Sequence, residues 1–138
     1  MIRNPLVWVL ALSSSFMYIS RYAINGWGVL FLQEIKGYTL ATATQVISVN
    51  ALCGIVGTVF SGWLSDAFFH GRRNVLAFGF GVLNTIALCL FLYSGDGLVV
   101  NILSMILFGV AIGVLICFLG GLMAIDIVPV SYTHLRAH

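Results

Sequence analysis

Four apolar stretches, residues 6–33, 42–65, 75–93 and 98–125, occupy most of the 138-residue chain. Each is near or above the ~20 residues an α-helix needs to cross the hydrocarbon core of a bilayer. Lipid offers no water to an unpaired backbone, and in an open chain only a helix closes all of its own hydrogen bonds. The pattern predicts an all-α membrane protein with four transmembrane helices, the first and last long enough to tilt or bend. Composition points the same way. The chain is 61% hydrophobic and 7% charged, whereas a soluble domain carries roughly 25% charged residues. The lipid bilayer is therefore the expected solvent. A net charge of +2, thinly scattered, excludes the basic surface that nucleic acid requires. Cys53, Cys89 and Cys117 all fall within apolar stretches without metal-ligand spacing and are expected to pack as small hydrophobes. The first stretch is too long for the core of a cleavable signal peptide and lacks a cleavage site, so it is expected to remain as a span.

The connectors are short, and their charges set the orientation. Arg3, Arg72 and Arg73 fall on one side of the membrane and Lys36 alone on the other. An excess of arginine and lysine marks the cytoplasmic side. The N-terminus and the 66–74 loop are therefore expected in the cytoplasm, with the 34–41 and 94–97 connectors outside. Ser94-Gly95-Asp96-Gly97 reads as a tight turn.

Arg21 is the one charge within the first span. A guanidinium keeps its proton at any physiological pH, and placing it at bilayer depth costs about 2.5–3.5 kcal/mol on insertion scales. Ser14, Tyr18, Arg21 and Asn25 recur at helical spacing and at ~100° per residue share a sector of about 60°. Leu12, Phe16, Ile19, Ala23 and Leu30 cover the opposite side. A polar stripe centred on arginine describes a helix lining a cavity, with Arg21 as an anion site. The alternative is an ion pair with an acid on another helix. Glu34, Asp66, Asp96 and Asp126 all lie at span ends, so such an acid would have to come from outside this sequence.

Small residues mark two further faces. The second span carries Asn50, Gly54, Gly57 and Ser61 on one narrow side, and the fourth carries Gly109, Gly113 and Gly120. Small residues let helix backbones approach closely, so these faces are expected to pack helices together, within the chain or between two copies. Nothing in the sequence suggests an enzyme: there is no glycine-rich phosphate loop opening a helix, no nucleophile–base arrangement and no paired carboxylates. No cofactor or metal is expected, and His134 and His138, although four apart, lack further ligands.

The segment from Gly62-Trp63-Leu64-Ser65-Asp66 through His70-Gly71-Arg72-Arg73 resembles the glycine–aspartate–arginine signature of the major facilitator superfamily. Its longer form is similar to that of the organophosphate:phosphate antiporter family, which includes glycerol-3-phosphate and hexose-phosphate transporters and a hexose-phosphate sensor. Tyr18-Ile19-Ser20-Arg21-Tyr22-Ala23-Ile24-Asn25-Gly26-Trp27 resembles that family's seventh helix, whose arginine binds substrate phosphate. Asn50 to Thr58 and Met123 to Pro129 resemble its eighth helix and the end of its tenth.

The resemblance implies that residues 1–130 are helices seven to ten of a twelve-helix transporter, part of its C-terminal half, in a bacterial inner membrane. The remaining helices of the transporter would then be missing from the chain. The ending 131–138 departs from family character and looks like translated adaptor sequence. The implied partners are an organophosphate and inorganic phosphate. Arg21, Tyr18 and Asn25 would bind substrate. Gly62, Asp66, Gly71, Arg72 and Arg73 would form a gating loop, and Gly54, Gly57, Gly109 and Gly113 would pack helices. The glycerol-3-phosphate type has an acidic residue where Gly26 stands, which favours the hexose-phosphate branch. Two alternatives stay open: a sensor that binds hexose phosphate without transporting it, and a small four-helix multidrug exporter.

Overall fold

A computed structural model describes residues 5–68 and 73–122, with the side chains of residues 6, 65–68, 73–74 and 121–122 outside that description. Four helices follow in order: α1 (Pro5–Glu34), α2 (Leu40–Phe68), α3 (Arg73–Tyr93) and α4 (Leu98–Cys117). All four contain a segment long and apolar enough to cross a membrane. Among the described residues the chain adopts the expected four-helix, all-α architecture, with boundaries shifted by a few residues. The fourth span is the exception. Its α-helix stops at Cys117, and a π-helical turn, Phe118–Leu122, continues it.

Local chemistry explains the ends. Gly37 takes a positive φ of 68°, which an L side chain resists, and reverses the chain after α1 so that the Tyr38 N–H reaches the Leu32 carbonyl at 3.0 Å. Thr39 then caps α2: its hydroxyl accepts from the Thr42 N–H at 3.4 Å, and its carbonyl receives the Ala43 N–H at 2.9 Å. Within the helices, hydroxyls such as Ser15, Ser20, Thr44 and Ser48 bond back to the carbonyl four residues earlier, which satisfies them without water.

Helix α4 is the centre of the bundle. It packs most extensively on α2 and next on α3, whereas α1 leans on α2 and touches α4 lightly. Of the most apolar part of α4, 56% is buried, against 11% for α1. The α2–α4 contact is backbone against backbone. A Cβ on Gly57 would stand 2.5 Å from the Val110 carbonyl oxygen, one on Gly109 would strike the Asn50 carbonyl, and one on Gly113 the Gly54 carbonyl. Thr58 stitches the crossing, its hydroxyl donating to Gly54 O at 2.9 Å and Gly113 O at 3.2 Å. The two glycine faces thus meet each other, which leaves neither of them free to join a second copy of the chain. Gly120 lies in the π-turn, where among the described residues the Tyr18 hydroxyl of α1 stands 3.8 Å from the position a Cβ would take.

Candidate functional site

The buried line of α1 is Met17, Ile24, Gly28 and Leu32. At ~100° per residue, the Ser14–Tyr18–Arg21–Asn25 stripe lies about 60° to one side of it. The stripe therefore sits at the edge of the packed face. Ser14, Tyr18 and Arg21 are half-buried and Asn25 is exposed, while Leu12, Phe16, Ile19, Ala23 and Leu30 all face outward.

Arg21 has no hydrogen-bond or ion-pair partner among the described residues. Tyr18 stacks on Tyr22 with ring centroids 6.3 Å apart and 26° between planes. Asn25 receives a 3.5 Å hydrogen bond on its Oδ1 from Asn50 Nδ2 of α2. Gly26 is open, with no atom within 4 Å of a Cβ placed there. The site is thus a half-buried guanidinium with five donors, flanked by a phenol and a carboxamide along one helix edge. Such a set is suited to an anion that only accepts hydrogen bonds.

Of the expected gating residues, Gly62 is exposed on α2. Asp66 and Arg73 lie on α2 and α3 with their side chains outside the described residues, as are Gly71 and Arg72 entirely. The 131–138 ending and Asp126 also lie outside them.

One polar centre had no counterpart in the sequence reading. Lys36, a connector charge by its position, is buried at the bundle end that joins α1 to α2 and α3 to α4. Its ammonium donates to Asn101 Oδ1 at 2.5 Å, to the Phe91 carbonyl at 2.6 Å and to Ser94 Oγ at 3.1 Å. The rings of Phe91 and Phe31 stand over it, with centroids 5.0 and 5.6 Å away. Asn101 donates in turn to Tyr38 Oη at 2.9 Å and to Gly97 O at 3.1 Å, and Tyr38 Oη donates to Asp96 O at 2.8 Å. Burial pulls the Lys36 ammonium below its usual value of 10.5, and the Asp96 carboxylate opposes that fall. The one available signal was Asn101, a carboxamide inside an otherwise apolar span.

Comparison with known proteins places this geometry in context. Residues 1–132 match the family described as Major Facilitator Superfamily. Over 82 residues the chain is 40% identical to the membrane sensor protein UhpC of Salmonella typhimurium, covering 58% of this chain and 19% of that protein. It is 32% identical over 133 residues to the glycerol-3-phosphate transporter of Bacillus subtilis, covering 93% of this chain and 29% of the relative. The hexose-6-phosphate:phosphate antiporter of Escherichia coli is 34% identical over 77 residues, or 55% of this chain and 16% of the antiporter. These relatives match the organophosphate:phosphate antiporter family that the motifs resemble. The chain spans less than a third of the length of each. No solved structure matches it.

Proposed function

Because the chain belongs to the Major Facilitator Superfamily, we propose that it forms helices seven to ten of a secondary antiporter that exchanges a sugar phosphate or related organophosphate for inorganic phosphate. The observation that carries this reading is Arg21: a half-buried cation within a span, with no partner among the described residues. A buried charge needs a counter-charge, and a phosphate supplies one through short charge-assisted bonds that a planar guanidinium accommodates in pairs. Tyr18 orients the anion from one turn away. In this fold family the binding site lies at the interface of two helical halves that rock about it, so the opposing phosphate ligands belong to the other half of the whole protein. Asp66 and Arg72 or Arg73 form its gating network at the cytoplasmic loop.

The resemblance favours the hexose-phosphate branch over glycerol 3-phosphate, since the glycerol-3-phosphate type carries an acid where Gly26 stands. The arginine count of the connectors supports an inner-membrane orientation with residues 66–74 in the cytoplasm. The likeness to a sensor favours one second reading: the same site binds hexose phosphate and signals. Liposomes containing the complete protein and loaded with inorganic phosphate separate the two. Uptake of labelled glucose 6-phosphate that requires internal phosphate is expected of the antiporter. Binding without uptake identifies the sensor, and neither binding nor uptake refutes both.

A further inference from the structure

A carboxamide has a donor end and an acceptor end, and its neighbours decide which end faces a ligand. Asn25 follows Arg21 by one turn on the same edge of α1, within reach of a shared ligand. Its oxygen is turned toward α2, where it accepts from Asn50 Nδ2. Its N–H₂ group has no partner among the described residues. Asn50 is a firm anchor for this. It is 5% exposed, and its backbone is held where α2 and α4 cross, its carbonyl oxygen against Gly109.

Arg21 is a donor with no acceptor atom, and Asn25 in this orientation adds further donors. Phosphoryl oxygens only accept, whereas sugar hydroxyls both donate and accept. On the phosphate-exchange reading above, we infer that Asn50 is a positioning residue that turns the Asn25 carboxamide so that its N–H₂ group, beside Arg21, binds the phosphoryl group of the ligand and not its sugar. The two residues thereby form a donor-only edge common to both exchanged substrates.

The test compares the dissociation constants of inorganic phosphate and glucose 6-phosphate for the purified complete protein, a measurement that applies to transporter and sensor alike. Asn25→Leu removes a hydrogen bond to a charged group, so both constants should rise in parallel, on the order of tenfold. Asn25→Asp places a carboxylate against the phosphate and should weaken both further. A rise for glucose 6-phosphate with inorganic phosphate unchanged would assign Asn25 to the sugar and overturn the inference. Asn50→Leu should raise both constants by a smaller factor, and Asn50→Ser, which keeps a donor, should recover part of the loss. In the Asn25→Leu background, Asn50→Leu should add nothing, because Asn50 acts through Asn25. An additive loss there would make Asn50 merely structural and refute its positioning role. Arg21→Ala keeps the two levels apart: unchanged phosphate binding by that variant defeats the phosphate reading itself.

Discussion

Two cations belong to the first helical hairpin, and the structure treats them oppositely. Lys36 is buried, with three acceptors for its three N–H bonds and two aromatic rings against it. Arg21 is half-buried along a polar edge and has no partner among the described residues. A saturated cation holds structure, since each bond joins one segment of chain to another: Lys36 ties the α1–α2 connector to Phe91, Ser94 and Asn101 of the second hairpin. An unsaturated cation keeps its donors for something else. On the proposed function, the contrast is one between scaffold and site.

The comparison breaks most visibly in ligand affinity. In the complete protein, Arg21→Lys keeps the charge but loses the fork, and Arg21→Ala loses both. Phosphate affinity should fall by about 10²-fold or more for the alanine variant, because bonds to charged groups contribute roughly 1.5–3 kcal/mol each. Lys36→Met should leave it within about threefold of the unaltered protein, as its donors are already engaged. Titration calorimetry with inorganic phosphate checks both. Equal losses in the two variants would dissolve the distinction.

Stability should invert the order. Lys36→Met leaves the Phe91 carbonyl short of a donor in a buried place and Asn101 Oδ1 with the Ser94 hydroxyl alone, a cost of about 1–3 kcal/mol. Arg21→Met removes a half-buried charge that makes no hydrogen bond or ion pair among the described residues, so its effect should lie within about 0.5 kcal/mol or be favourable. Thermal unfolding in detergent measures the pair. A melting temperature lowered more by Arg21→Met than by Lys36→Met would show that Arg21 is the structural cation.

How far the sequence revealed these two centres follows from what each depends on. Arg21 stands out as a candidate because the features that mark it are local: one charge in an apolar span, with Tyr18 and Asn25 on its own helix at fixed spacing. The spans were legible for the same reason, since apolar length alone decides them. Lys36 was not, because its burial is made by Phe91, Ser94 and Asn101, 55 to 65 residues away. The meeting of α2 and α4 lay between these cases. Gly54, Gly57, Gly109 and Gly113 announced close packing, but only the fold shows that the two faces meet each other. The π-turn had no periodic signature, and within it Gly120 meets the Tyr18 hydroxyl of α1.

The smallest expected effect concerns pH and sharpens the account of the Lys36 centre. Burial lowers the folded-state value of Lys36 below its usual 10.5, and Asp96 partly restores it. Between the lowered value and 10.5 the unfolded chain holds a proton that the folded one has released. Stability therefore rises with pH across that window, because the unfolded state binds more protons there. Below the window both states are protonated and the slope vanishes. Other groups titrate in the alkaline range as well, so the useful quantity is the difference in unfolding free energy between the unaltered protein and Lys36→Met, followed from neutral pH to just above 10.5. That difference should grow in favour of the unaltered protein as the window is crossed. Asp96→Asn removes the charge that resists the fall, so its rise should begin at lower pH. A difference that shrinks with pH would mean that the folded state holds the Lys36 proton more tightly than the unfolded chain, with the acceptors and rings around the ammonium outweighing its loss of water.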